Sequence, residues 1–163
     1  MLRYVYNIKL GGVNMGNTSL YNNVDEIRIL PNSKNDFPEY NDIYNFITKT
    51  MKDRNGVYYY PGRAMRCPNN TLVFFQYDGT LIASAILLAT VRGVCFDEIG
   101  NKYAGHYVFN MATMVIYDVP ISKEQIQSIN TRFNGFNQSK QRIDIDLKDK
   151  LLQMIERNCP TII

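Results

Sequence analysis

Tryptophan is absent from this 163-residue sequence, histidine occurs once, at His106, and cysteine three times, at Cys67, Cys95 and Cys159. Each scarcity excludes something. One histidine cannot build an HNH nuclease centre, which draws on several metal-facing and catalytic positions. Widely spaced cysteines without a C-x-x-C pair give neither a disulfide framework nor a zinc knuckle, so the thiols read as reduced and the protein as cytoplasmic. No G-x-x-x-x-G-K-[ST] and no G-x-G-x-x-G following a strand is present, which removes support for nucleoside triphosphate or dinucleotide binding. The Gly-rich pyrophosphate turn of an acetyl-CoA-type acyltransferase is missing too. The longest apolar run, residues 81–91, contains Ser84 and Thr90 and is too short to span a bilayer. The opening "MLRYVYNIKLGG" lacks the continuous apolar core of a secretory signal. Neither membrane, metal nor cofactor is expected.

What remains is an ordinary globular composition, 45% hydrophobic and 20% charged, in a chain long enough for a single domain, 1–163. A domain of this size buries roughly 70% of the surface of its unfolded chain and needs no metal or disulfide for stability. Tyrosine (twelve) and phenylalanine (eight) supply the aromatic surface. The net charge is only +3, so its distribution matters more than its total. Residues 49–66 hold Lys49, Lys52, Arg54, Arg63 and Arg66 against Asp53 alone, and residues 132–142 hold Arg132, Lys140 and Arg142 with no acid. Acids gather at Asp25, Glu26, Asp97, Glu98 and in 144–149. If the two basic segments share a face, that face is strongly positive.

Along the chain, "YVYNIKL" (4–10) alternates as a strand, "GGVNMGNTSLYNN" after it reads as a loop, and "DEIRIL" (25–30) is a short strand stopped by Pro31. "NDIYNFITKTMKDRNG" sets Ile43, Phe46, Ile47 and Met51 on one helical face, with Asn41 or Asp42 at its start and Gly56 at its end. The strongest local signal is "TLVFFQYDGTLIASAILLATV", where Asp78-Gly79 predicts a type I′ turn between two strands. Both faces of these strands are apolar, which predicts a closed or covered sheet. "HYVFNMATMVIYDV" (106–119) predicts a strand or strand pair with a break near 110–113, and Pro120 ends the sheet region. Ser122 with Gln125 forms a capping box for a short helix carrying Ile126 and Ile129. After the polar "NGFNQSKQR", Asp146 caps a final helix that turns Leu147, Leu151, Met154 and Ile155 inward, with Pro160 just past its end. The order fits α+β around a curved antiparallel sheet.

"YYYPGRAMRC" (58–67) carries the chemistry. Strand alternation turns Tyr58 and Tyr60 to one side and Tyr59 to the other, and Pro61-Gly62 bends the chain into a loop with Arg63 and Arg66. Guanidinium groups pair with phosphate bidentately or stack on a base, and a tyrosine ring offers a stacking face. "Asp146-Leu147-Lys148" matches the D-x-K of a restriction-type nuclease, but it falls at a helix cap. His106, before a strand, reads as a surface or packing residue.

The stretch "YYYPGRAMRCPNNTLVFFQYDGTLIASAILL", followed by "GHYVFNMATMVIYDVPIS" and "FNGFNQSKQRID", resembles the PUA-like fold class that includes the EVE and ASCH domains. More narrowly it resembles the EVE-like modules found N-terminal to HNH nucleases in bacterial modification-dependent restriction proteins. The resemblance covers about residues 40–157 and rests on the "G-R-x-M-R" turn, the 71–85 hairpin and the late "Y-V-F" strand. It implies a small curved antiparallel β-barrel with flanking helices, holding a modified or flipped base in an aromatic cage, here of Tyr and Phe in place of Trp. On that footing Tyr59, Tyr60 and Phe75 are the candidate pocket aromatics, Asn69 and Asn110 the base-edge readers, and Arg63, Arg66 and Lys140 the phosphate contacts. The expected function is a nucleic-acid-binding module in bacterial defence, DNA taken ahead of RNA, without catalysis of its own and acting with a nuclease domain or partner. Two readings stay open beside it: a metal-dependent nuclease of the ASCH or restriction kind, and a non-catalytic protein-interaction or small-ligand module.

Overall fold

The computed structural model describes residues 20–136 and 141–158. The expected strand at 4–10, most of the loop after it, Lys140, Cys159 and Pro160 lie outside the described residues. In chain order the strands are β1 (Ile27–Asn32), β2 (Val57–Tyr60), β3 (Leu72–Tyr77), β4 (Thr80–Phe96), β5 (Lys102–Ser122) and β6 (Arg142–Ile143). They form one six-stranded sheet in the order β2-β5-β4-β3-β1-β6.

The hairpin at its centre follows from two residues. Asp78 (φ 48°) and Gly79 (φ 76°) both take positive φ, as a type I′ turn requires, and set Tyr77 opposite Thr80. Alternation then divides the side chains of β3: Leu72 and Phe74 enter one core, Val73, Phe75 and Tyr77 the other. Helices cover both faces, which is why these strands carry apolar side chains on both. On the first face lie α3 (Lys123–Ile129) and α4 (Lys148–Asn158), contributing Ile126, Leu151, Met154 and Ile155. On the second lies a continuous helical segment made of α1 (Tyr40–Asn45), a π turn (Phe46–Thr50) and α2 (Met51–Asp53), contributing Ile43, Ile47 and Met51.

The sheet is covered rather than closed. Its terminal strands, β2 and β6, have four and two residues and do not pair with each other, so the expected barrel is an open α+β sheet among the described residues. Nor is it wholly antiparallel. β1 pairs with β3 in parallel, Ile27 opposite Leu72, because the helical segment between them carries the chain back across the sheet.

Both prolines expected to stop strands lie inside them. The backbone N of Ile29 donates toward Gln141 on the β6 side, so Pro31, two residues on, aims its missing N–H where β6 has already ended. Pro120 falls in a stretch of β5 between Ile116 and Ile121 where β4 has no register partner. The Asn158 side chain donates to the carbonyls of Val119 and Pro120 there, at 2.8 and 3.4 Å.

The break expected near 110–113 is a bulge in β5. Ile86 faces Asn110 while Ser84 faces Val115, so β5 carries extra residues that bend the sheet. Ser122 and Gln125 form their capping box, but the cap before α4 is Asp144, whose carboxylate accepts from the Asp146 N–H, rather than Asp146 itself. Among the described residues no helix is long and apolar enough to cross a membrane.

Candidate functional site

Residues 58–67 begin as β2, the edge strand beside β5. Tyr58 and Tyr60 point to the second core and Tyr59 to the other face, as alternation requires. The Tyr58 ring is packed by Phe46, Phe75, Tyr107 and Phe109, and its hydroxyl donates to Asn32 Oδ1 at 2.6 Å. Burial, with the Tyr107 phenol and the Asp36 carboxylate adding to it, pushes the Tyr58 phenol well above its ordinary range.

Tyr60 is 5% exposed and lies across β5, its hydroxyl donating to the Val91 carbonyl on β4 at 3.1 Å. That path exists because Gly105 stands opposite Tyr60: a Cβ there would overlap the Tyr60 hydroxyl and the Val91 carbonyl. Tyr59 is half-buried in a surface stack, 4.9 Å from the Tyr103 ring, with Arg54 5.0 Å above it. Arg54 is bound to Glu98 through two hydrogen bonds of 2.6 and 2.7 Å, and Tyr59 lines neither cleft described below.

The loop after β2 is pinned rather than free. Met65 enters the second core and its N–H donates to the Tyr107 hydroxyl at 2.7 Å, while Arg28 donates to the Arg66 carbonyl at 3.0 Å. With Met65 inside, Arg63 and Arg66 stay exposed on either side of it.

Two adjoining clefts result. The first, of about 380 Å³, is lined by Tyr60, Gly62, Arg63, Ala64, Arg66, Arg92 and Ala104, three arginines with no carboxylate. Among the described residues no acid pairs with Arg66 or Arg92. The second, of about 560 Å³, shares Tyr60, Gly62 and Arg63 with the first and adds Tyr58, Tyr107, Asn32, Ser33 and Asp36. Residues 60–63 are the sill between them. Burial raises the thiol of half-buried Cys67 despite the hydrogen bond with Thr71 and the nearby Arg28 and Arg92.

The structure thus brings Tyr60, Arg63 and Arg66 together. Phe75 is 1% exposed and packs in the core against Phe109 and Tyr58. Asn110 closes the β5 bulge, its side-chain oxygen accepting from the Ala112 N–H at 3.0 Å and its carbonyl from the Thr113 hydroxyl at 2.7 Å. Asn69 is exposed in the loop before β3 and lines neither cleft. Arg142 is held by Glu26 at 3.0 Å and lines a separate cleft with Asp25 and Asp144, so it adds no free charge to the first cleft. His106 packs against Tyr59.

Arg92 escapes a reading of local pattern. It stands in one lateral row with Gly105 and Tyr60 across β4, β5 and β2. The signal that leads to it is the turn at 97–101, where Gly100 takes φ 88° and returns β5 alongside β4. Among the described residues no three His, Cys, Asp or Glu side chains converge to hold a metal ion.

No protein-family model matches the sequence, and no curated protein is significantly similar to it. Among solved structures the chain is similar to a mutant of the ZmASCH protein from Zymomonas mobilis, with a TM-score of 0.53 and 14% identity, over 78% of this chain and 97% of that one. The two chains share a fold.

Proposed function

We propose that the chain is a nucleic-acid-binding module that grips a phosphate in the basic cleft and takes the attached base, turned out of its stack, over the sill into the tyrosine-lined cleft. The carrying observation is the pair of clefts sharing Tyr60, Gly62 and Arg63, one walled by Arg63, Arg66 and Arg92, the other by Tyr58, Tyr60 and Tyr107. Arginine suits the first because its planar donor fork matches phosphate oxygens. Extruding a base costs a few kcal/mol, and an aromatic stack returns about 1–3 kcal/mol per base. Phosphate contact therefore supplies most of the affinity, and the tyrosine cleft the selectivity. The sequence resemblance extends this reading to a modified base, to DNA ahead of RNA, and to cytoplasmic restriction alongside a nuclease.

Fluorescence anisotropy of labelled oligonucleotides against salt tests it. Each phosphate contact contributes about 0.7–0.9 to the log–log slope, so Arg66→Ala with Arg92→Ala should lower the slope by about 1.4–1.8. Equal slopes for variant and wild type would remove the basic cleft from the interface. Running DNA and RNA, single and double strands, and modified and unmodified bases in parallel assigns the finer identity.

A further inference from the structure

The two clefts differ in charge as well as in walls. Among the described residues arginine alone supplies charge to the first, whereas the second carries Asp36, beside Ser33, as well as Arg63 on the shared sill. Most polar groups around the tyrosine cleft are already committed. The Asn32 amide donates to the carbonyls of Leu30 and Gln76, at 3.1 and 3.3 Å, and its oxygen accepts from Tyr58. The Tyr107 hydroxyl accepts from Met65.

Asp36 differs. It is exposed, and one carboxylate oxygen, Oδ2, accepts from the Ser33 hydroxyl at 3.1 Å, while Oδ1 has no hydrogen-bond partner among the described residues. Asp36 lines the same cleft as Tyr58, Tyr60 and Tyr107, which places it beside the tyrosine wall. A carboxylate is an acceptor only, so what it meets must donate.

We infer that the tyrosine cleft selects a base carrying an exocyclic amino group, with Asp36 accepting from that amine while the nucleotide's phosphate lies among the arginines. This rests on the nucleic-acid reading above and deepens it. Adenine, cytosine and guanine present such an amine. Thymine and uracil flank their single ring N–H with two carbonyls, whose lone pairs face the carboxylate unfavourably. The site is dipolar: cationic at the phosphate end, anionic at the base end, aromatic between.

The test is binding of labelled dA, dC and dT homo-oligomers of equal length to wild-type protein, Asp36→Asn and Asp36→Ala, each at several salt concentrations. Folding of the variants is checked by circular dichroism. Wild type should prefer dA and dC to dT by roughly tenfold, the scale of one well-placed base contact. Asp36→Asn keeps one acceptor, its amide oxygen, and adds a donor that can meet the thymine carbonyls, so it should narrow that preference by raising dT binding. Asp36→Ala removes the acceptor without adding a donor, and should erase the preference. Both variants should keep the wild-type salt slope, since the phosphate contacts are untouched.

Equal binding of all three oligomers by wild type, with the salt slope intact, overturns the base selection and leaves the nucleic-acid reading standing. Loss of affinity for all three by the same factor in Asp36→Asn and Asp36→Ala also overturns it, by making Asp36 a support of its own turn. Absence of binding to any oligomer at low salt overturns both.

Discussion

Gly105 is the residue on which the shape of the site depends most directly. Every other side chain would occupy the space through which the Tyr60 phenol reaches Val91. Gly105→Ala should therefore push Tyr60 outward and destabilise the fold by about 1–3 kcal/mol, the scale of an overpacked interior. Urea unfolding measures the loss, and wild-type stability would mean that Tyr60 has another seat. Lys148 is a second such residue, in a place that sequence pattern reads as a nuclease-like coincidence. Its ammonium donates to the carbonyls of Tyr21 and Val24, at 3.2 and 3.5 Å, tying the start of α4 to the segment before β1. A hydrogen bond to a charged group is worth about 1.5–3 kcal/mol, so Lys148→Ala should cost up to that amount, and Lys148→Arg, which keeps a donor, less. A match in chemical denaturation between Lys148→Ala and wild type would leave the ammonium without a structural part.

Among the elements, the β5 bulge and the β4–β5 turn are held by side chains rather than by the ladder. At the bulge the Thr113 hydroxyl donates to the Asn110 carbonyl and accepts from the buried Ile86 N–H, at 2.7 and 2.8 Å. Thr113→Val keeps the shape and strands that donor, an expected loss of about 1–3 kcal/mol. Urea midpoints decide it, and a neutral result would mean that the bulge is set by packing alone.

At the turn, burial works to raise the Asp97 carboxyl, but hydrogen bonds from Asn101 and Ile99 outweigh it and hold the carboxyl below its ordinary range. Glu98 is lowered as well, first by its hydrogen bond from Arg54. A carboxyl depressed in the folded state contributes stability that is full above its unfolded pKa and lost as pH falls through the folded value. The turn should thus loosen on acidification, as pH falls below the ordinary carboxylate range of about 4. Hydrogen-exchange protection of the Ile99 and Asn101 amides reports it, and protection that does not fall below that pH would show that these carboxylates do not secure the turn.

At the scale of the molecule, the sheet separates two cores that share no buried side chain among the described residues. Ile47 lies in one and Ile155 in the other. Ile→Val at each should cost about 0.5–1.5 kcal/mol, and the double variant should lose the sum to within about 0.3–0.5 kcal/mol. A larger departure in a double-mutant cycle would mean that strain passes through the sheet. Leu151, buried in the first core under α4, is the severer probe: Leu151→Ala should cost about 2–5 kcal/mol.

Local chemistry made the hairpin, the capping box and the inward faces of the helices legible. Asp-Gly needs positive φ, Ser122 and Gln125 satisfy each other's backbone donors, and Ile43, Ile47, Leu151 and Ile155 recur at helical spacing whatever they pack against. The opening of the sheet, the parallel β1–β3 pair and the tolerance of Pro31 were not legible, because each depends on which strand lies alongside and where that neighbour ends. The site divides in the same way. Tyr60, Arg63 and Arg66 are neighbours in sequence and could be picked out together, whereas Phe75 and Asn110 were spent on the core and on a bulge. Arg92 and Asp36 reach the clefts only through long-range register, across β5 to Tyr60 in one case and past the end of β1 in the other. Periodicity and turn chemistry act within a few residues and so are written in the chain; a cleft belongs to the spaces between elements, and those exist only once the sheet has assembled.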